Sequence, residues 1–343
     1  MKNRTGKIQS GILTGLVLAV AIGAGVVAFI LFDSSGTKST LGPEYIYDIT
    51  QYTTIDPALI IYQQTGESIQ TDFEQARAIA IGADGKIYIV GDEKIAIYTP
   101  GTSVPMETEL GAEPTCLAVD MDGTIVTCVG NFIIFMNSMG VETARWNIPA
   151  DNAILTSIAM DDKNLFIADA VNKIVWHLDR QGNVLGKIGQ KDPDRNIPGI
   201  VVPSPYFDIA MYPDGLLRVV NPGRHWIEAY TVDGDREWYW GSTGVGIESF
   251  SGCCNPVAIA ILPDGGFVTA EKGLVRVKVY DADGEFVGVV AGPDQLGWVD
   301  PLRVCKTPED CKTKGFDVAV DKAGRIYVLD TLRNIVRIFE KKQ

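Results

Sequence analysis

ARAIAIGADGKIYIVG, residues 76–91, reads as a short apolar strand, a turn built on Asp-Gly, and a second strand ending in a small residue. The same reading applies to PTCLAVDMDGTIVTCVG (114–130), LTSIAMDDKNLFIAD (155–169) and YFDIAMYPDGLLRVVN (206–221). It applies again to PVAIAILPDGGFVTAE (256–271) and GFDVAVDKAGRIYVLD (315–330). Asp-Gly between two apolar runs is a strong hairpin signal, because both residues tolerate the positive φ that tight turns need. A third strand follows each copy, as in KIAIYTP (94–100), NKIVWHLD (172–179) and NIVRIFEK (334–341), and a fourth is often visible after a further turn. Four antiparallel strands repeated six times, at a period that lengthens from about 40 to about 60 residues, predict a six-bladed β-propeller. The added residues of the later repeats precede the first strand of the next blade, so they are loops on one face.

The last repeat stops after its third strand. Residues 57–70, PALIIYQQTGESIQ, read as a strand with no blade of its own. Pairing it with NIVRIFEK would close the ring and remove an open sheet edge.

Ahead of the repeats lies SGILTGLVLAVAIGAGVVAFILF, residues 10–32, without a charge. At about 1.5 Å per residue it spans about 30 Å as a helix, the thickness of a bilayer core. Its end in Ala28-Phe29-Ile30-Leu31-Phe32 is a poor cleavage site, which favours an anchor over a removed signal peptide. Lys2, Arg4 and Lys7 precede the run and Asp33 follows it, so the N-terminus is expected in the cytoplasm and the rest outside. The chain thus divides into a cytoplasmic tail (1–9), a single-pass anchor (10–32), a polar spacer (33–56) and the propeller (57–343). The expected location is a bacterial inner membrane, with the propeller in the periplasm or outside the cell. Beyond the tail, 27 Lys and Arg face 43 Asp and Glu, a net charge of −16. Such a surface repels phosphate backbones, so nucleic acid is not an expected partner.

The pattern P-x-x-I-A-x-x-x-D-G-x-[IL]-[YF]-[IV]-x-[DN], followed by Asn-x-Ile-x-x-[FY], resembles the NHL repeat, with NLFIADAVNKI (164–174) as its best copy. GSTGVGIESFSGCCNP (241–256) is similar to the Gly-rich NHL blade connection with a Cys pair inserted. Together with IGQKDPDRNIPGIVVPSPYFDIA and NPGRHWIEAYTVDGD, these stretches resemble a group of exported bacterial NHL-repeat proteins. The resemblance covers residues 57–343 and implies a TolB-like six-bladed propeller outside the cytoplasm, without implying an activity.

Three sets of residues are candidates for chemistry. Cys253 and Cys254 precede the inner strand of blade 5, and Cys305 and Cys311 precede that of blade 6, so four sulfurs are expected on one face of adjacent blades. Two disulfides bracing these loops is one reading, each contributing ~2–4 kcal/mol. The expected pairing joins Cys305 to Cys311 or crosses between the loops, leaving at most one of the vicinal pair free. A Cys-bound metal or iron–sulfur site, or redox-active thiols, are the alternatives. Cys116 and Cys128 flank the turn of blade 2 symmetrically and take positions held elsewhere by Ala78 and Val90 or by Ala258 and Ala270, so they read as reduced core residues.

The third set is polar. Asp169, Asn221, Glu271 and Asp330 end second strands, while Asp208 and Asp317 begin inner ones. Oxygen ligands converging from several blades suit Ca²⁺, as in lactonases of the regucalcin and gluconolactonase type. The plainer reading is that each Asp or Asn caps its own turn. Arg224-His225-Trp226 and Arg236-Glu237-Trp238-Tyr239-Trp240 give blade 4 a high aromatic content. Only His177 and His225 are available as histidine ligands, and neither a nucleophile elbow nor a Gly-rich phosphate loop is present. The sequence therefore favours a scaffold that binds a protein or small ligand on its loop face. A metal-dependent lactonase-like hydrolase or a Cys-based redox protein is the alternative.

Overall fold

The computed structural model describes residues 52–102, 104–297 and 315–343. The expected anchor at 10–32 with Lys2, Arg4 and Lys7, and the 305 and 311 cysteines, lie outside these residues. Among the described residues no helix is long and apolar enough to cross a membrane.

The repeats form six antiparallel sheets arranged as a ring. Blade 1 runs from Ala76–Ile81 through Ile87–Gly91 and Lys94–Tyr98 to Met106–Glu109. Blades 2 to 5 repeat this order, from inner strands Pro114–Val119, Leu155–Met160, Ile209–Met211 and Ala258–Ile261 to outer strands Glu142–Asn147, Val184–Ile188, Arg236–Trp240 and Phe286–Ala291. Blade 6 contributes Phe316–Val320, Ile326–Asp330 and Ile335–Lys341. The inner strands adjoin one another in cyclic order, blade 6 meeting blade 1.

The Asp-Gly turns differ in detail from the expected ones. Only the glycine takes positive φ, 80° at Gly85 and 84° at Gly215, and the preceding Asp does not. Gly85 N–H donates to Gly82 O at 2.9 Å, and Gly82 N–H to Lys86 O at 2.9 Å. This is a type I turn closed by a left-handed glycine, the longer of the common hairpin connections. The Asp acts through its side chain instead: Asp84 Oδ1 accepts from Lys86 N–H at 3.1 Å, and Asp214 Oδ1 from Leu216 N–H at 2.8 Å.

Second strands such as Ile87–Gly91, Leu217–Asn221 and Ile326–Asp330 are buried at every position. Both faces of a blade are therefore covered. Consistently, the apolar core falls into six clusters, each shared by two neighbouring blades. Blades 6 and 1, for example, share Phe73, Ile89, Tyr327, Leu329 and Val336.

The chain's N-terminal described segment completes blade 6. Tyr62–Gln64 pairs antiparallel with Ile335–Lys341, matching Tyr62 with Lys341 and Gln64 with Phe339. After a turn at Gly66, Ile69–Gln70 rejoins the same strand opposite Val336 and Ile335. Residues the sequence assigns to the spacer also pack on the domain: Ile55 occupies the space a Cβ at Gly292 would need. Ile61 fills the equivalent space at Gly288, and its N–H donates to Val289 O at 3.0 Å.

Phe339 is 1% exposed and lies at this closure. Phe339→Ala should lower unfolding stability by about 3–5 kcal/mol, the usual cost of a truncated core aromatic. Removing residues 57–70 should lower the thermal midpoint further, because it opens the ring. A midpoint unchanged by that deletion in calorimetry would refute closure by this segment.

Candidate functional site

Where the six inner strands converge they enclose a cavity of about 460 Å³. Each blade contributes the same three positions at the start of its inner strand, and the middle one is decisive. Around the ring it holds Ala78, Cys116, Ser157, Asp208, Ala258 and Asp317. Inner strands have a neighbour on one edge only, so the backbone N–H groups of the free edge need partners from elsewhere. The polar middle-position residues supply some of them. Ile209 N–H of blade 4 donates to Ser157 Oγ of blade 3 at 3.2 Å. Ile259 N–H of blade 5 donates to Asp208 Oδ2 of blade 4 at 2.6 Å, and Ile79 N–H of blade 1 to Asp317 Oδ2 of blade 6 at 2.8 Å. Each side chain thus latches its own blade to the next. Arg77 adds an ion pair from blade 1 to Glu113 before blade 2, at 2.5 Å.

The two carboxylates are enclosed by protein except towards the channel. Burial pushes Asp208 up to about 6, although the Ser157 hydroxyl, donating at 2.5 Å, and the N–H groups of Ile259 and Ile209 oppose the shift. Asp317 is pushed up to about 7, first by burial and then by the charge of Asp208, against the N–H groups of Ile79 and Val318. Desolvation wins because two or three hydrogen bonds replace only part of a carboxylate's hydration.

The six polar residues expected to converge divide into two groups. Asp208 and Asp317 line the cavity, whereas Asp169, Asn221, Glu271 and Asp330 do not and are fully buried inside the blades. Asp169 accepts from Val171 N–H, Asn172 N–H and Trp176 Nε1–H at 3.1–3.2 Å. Asp330 likewise accepts from Leu332 and Arg333 N–H at 3.0 and 3.1 Å. Asn221 accepts from Val201 N–H at 2.9 Å and donates to Glu228 at 3.2 Å. Glu271 pairs with Arg276 at 2.9 Å and Lys278 at 2.7 Å. Among the described residues no three His, Cys, Asp or Glu side chains come together as a metal-holding group.

The cysteines also separate. Cys116 and Cys128 face each other across one hairpin, buried and unbonded. Cys253 Sγ lies 3.4 Å from Cys254 Sγ, beyond the 2.03–2.05 Å of a disulfide. Both members of the vicinal pair are free thiols, and their expected partners Cys305 and Cys311 lie outside the described residues. The blade 4 aromatics pack against one another, Trp226 tilted against Tyr239 at 4.5 Å with Arg236 4.8 Å from the Tyr239 ring.

Sequence reading missed Ser157 as a latch, although it shares its repeat position with Asp208 and Asp317. It also missed Arg276 and Lys278. These alternate along one strand, so they share a face, and Lys278 Nζ donates to Ile247 O at 3.1 Å and Ser249 O at 2.8 Å. Arg276 Nη1 donates to Val245 O and Gly246 O at 3.3 and 3.2 Å. Burial brings Lys278 down to about 8, opposed by Glu271.

No family model matches the chain, and no curated protein matches it. Solved structures do resemble it. A streptogramin B lyase structure aligns at TM-score 0.56 and 14% identity, over 84% of this chain and 100% of that one. A catalytically inactive virginiamycin B lyase from Staphylococcus aureus, with quinupristin, aligns at TM-score 0.55 and 12% identity, over 82% of this chain and 100% of that one. A protein of unknown function from Bacteroides thetaiotaomicron aligns at 0.56 and 15%, over 81% and 73%. At these identities the likeness is one of fold: a six-bladed propeller.

The raised carboxyls predict a direction of pH dependence. Folded-state values above the unfolded one, near 3.9, mean that the folded state binds protons more tightly. The stability these groups contribute is therefore present below about pH 4, declines as pH rises to about 7, and then levels off. Asp317→Asn removes its part of that decline. In urea unfolding at pH 5 and pH 8, the stability difference between the two proteins should move in favour of Asp317→Asn at the higher pH. An unchanged difference would contradict the raised carboxyl.

Proposed function

We propose that the propeller is an extracytoplasmic binding module, tethered to the inner membrane by residues 10–32, that holds a small polar ligand in the channel mouth. The observation that carries this reading is the pair Asp208 and Asp317, two incompletely compensated carboxylates facing a cavity of about 460 Å³. That volume suits a small molecule. A ligand bringing an amine or several hydroxyl donors supplies the hydrogen bonds that burial has taken from the carboxylates, while the surrounding Phe207, Phe316 and Tyr206 offer apolar walls. Hydrogen bonds to charged groups stabilise by about 1.5–3 kcal/mol. The same two carboxylates are where a Ca²⁺ requirement would be felt, since the other four residues of the polar set are engaged inside their blades. Binding rather than turnover fits a frame whose polar groups are mostly spent on holding blades together.

Thermal-shift screening of the full chain in detergent against amines, amino acids and polyols, with and without EDTA, tests the site. A ligand that raises the midpoint should bind Asp208→Asn and Asp317→Asn about 10–100-fold more weakly. Ligands that stabilise both variants as well as the parent would place binding elsewhere. For the tether, a reporter fused after Gln343 should be active only outside the cytoplasm, from the Lys2, Arg4 and Lys7 bias. Cytoplasmic activity would overturn it.

A further inference from the structure

A second chemical centre lies beside the channel and is independent of any ligand held there. Cys253 and Cys254 stand on the loop before the blade 5 inner strand, their sulfurs 3.4 Å apart. The two are unequal. Cys253 is exposed, whereas Cys254 is 3% exposed. The loop that carries them is held firmly: Asn255 Nδ2 donates to Ser251 O at 2.6 Å and Lys272 O at 2.8 Å, and Asn255 Oδ1 accepts from Lys272 N–H at 3.0 Å.

A buried cation completes the arrangement. Lys272 is 6% exposed, hydrogen-bonds the Cys254 side chain, and rests 4.0 Å from the ring centre of Tyr206. Its Nζ also donates to Ser204 Oγ at 3.1 Å. Burial lowers Lys272, and negative charge on either sulfur restores it. The hydrogen bond between the two sulfurs and burial hold the Cys253 proton in place, while Lys272 works the other way. The net result is a pair of thiols sharing a hydrogen bond, with a buried ammonium beside them that favours negative charge on either sulfur.

We infer that Cys253, Cys254 and Lys272 form a thiol–disulfide exchange site acting on disulfides that reach the loop face. Cys253, the exposed member, loses its proton to water and attacks one sulfur of an incoming disulfide. A mixed disulfide forms at Cys253 and the first thiolate leaves, to be protonated by solvent. Cys254, held beside Lys272, then gives up its proton to solvent, attacks the Cys253 sulfur and expels the second thiolate, which solvent protonates. The incoming disulfide is reduced to two thiols, and the dithiol is oxidised to a Cys253–Cys254 disulfide. A dithiol reductant reverses both steps. Adjacent Cα atoms lie about 3.8 Å apart, short of the usual disulfide span, so the oxidised form is strained and returns readily to the thiols. Such a pair stays reduced until its surroundings become strongly oxidising.

Incubating the full chain with glutathione buffers of increasing disulfide content, followed by acid quenching and peptide mass mapping, tests the site. The peptide carrying residues 253–254 should lose two hydrogens at high glutathione disulfide and regain them with dithiothreitol, while Cys116 and Cys128 remain thiols. Lys272→Met should slow the exchange about tenfold at neutral pH, and Lys272→Arg should retain most of the rate. A stable glutathione adduct on Cys253, a bond from either residue to another cysteine, or unchanged thiols at every ratio would each overturn the assignment.

Discussion

Every blade here has two apolar faces and no means of covering both alone. The second strands are buried along their whole length, and the six clusters that bury them each need residues from two blades. A linear stack of such sheets would leave an exposed face at each end. Closure into a ring is the one arrangement that leaves none, and it brings blade 6 against blade 1. Antiparallel pairing of Tyr62–Gln64 with Ile335–Lys341 fixes that junction by joining the two ends of the described domain in one sheet. Stability is thus a property of the ring more than of any blade, unlike open solenoids whose repeats contribute nearly additively.

The channel chemistry follows from the same closure. Six inner strands facing one axis present N–H groups that no sheet partner can satisfy. Where the middle lining position is Ser or Asp, the neighbour's N–H finds an oxygen. Where it is Ala78 or Ala258, the space stays open. Three latches and two alanine gaps around the ring leave the cavity its volume and place two carboxylates at it. Their raised values are a by-product of a structural duty, and that by-product equips the channel to recognise hydrogen-bond donors.

The fold was legible because its signals are local and repeated. An apolar strand, a turn and a second strand recur six times, and even the orphan strand at 57–70 can be inferred from the shortened last repeat. The turn type was less legible, since Asp-Gly serves two hairpin geometries that differ by one residue. At the site, Asp208 and Asp317 stood out by residue type, but their separation from Asp169, Asn221, Glu271 and Asp330 did not. All six sit at strand ends, and only the backbone's direction there decides whether a carboxylate meets the axis or folds back onto its own turn. Lys278 was hidden for a related reason: a lysine in an alternating strand reads as solvent-facing until a long linker is laid over it.

The path of residues 55–64 has a mechanical consequence. Before reaching blade 6 the chain crosses blade 5, where Ile55 and Ile61 occupy the spaces above Gly292 and Gly288 and Ile60 bridges to Val289. A pull applied at the N-terminal side of the domain would therefore load blade 5 first and the Tyr62–Gln64 ladder only afterwards. Tension applied there is shared between two sheets before the seam is strained.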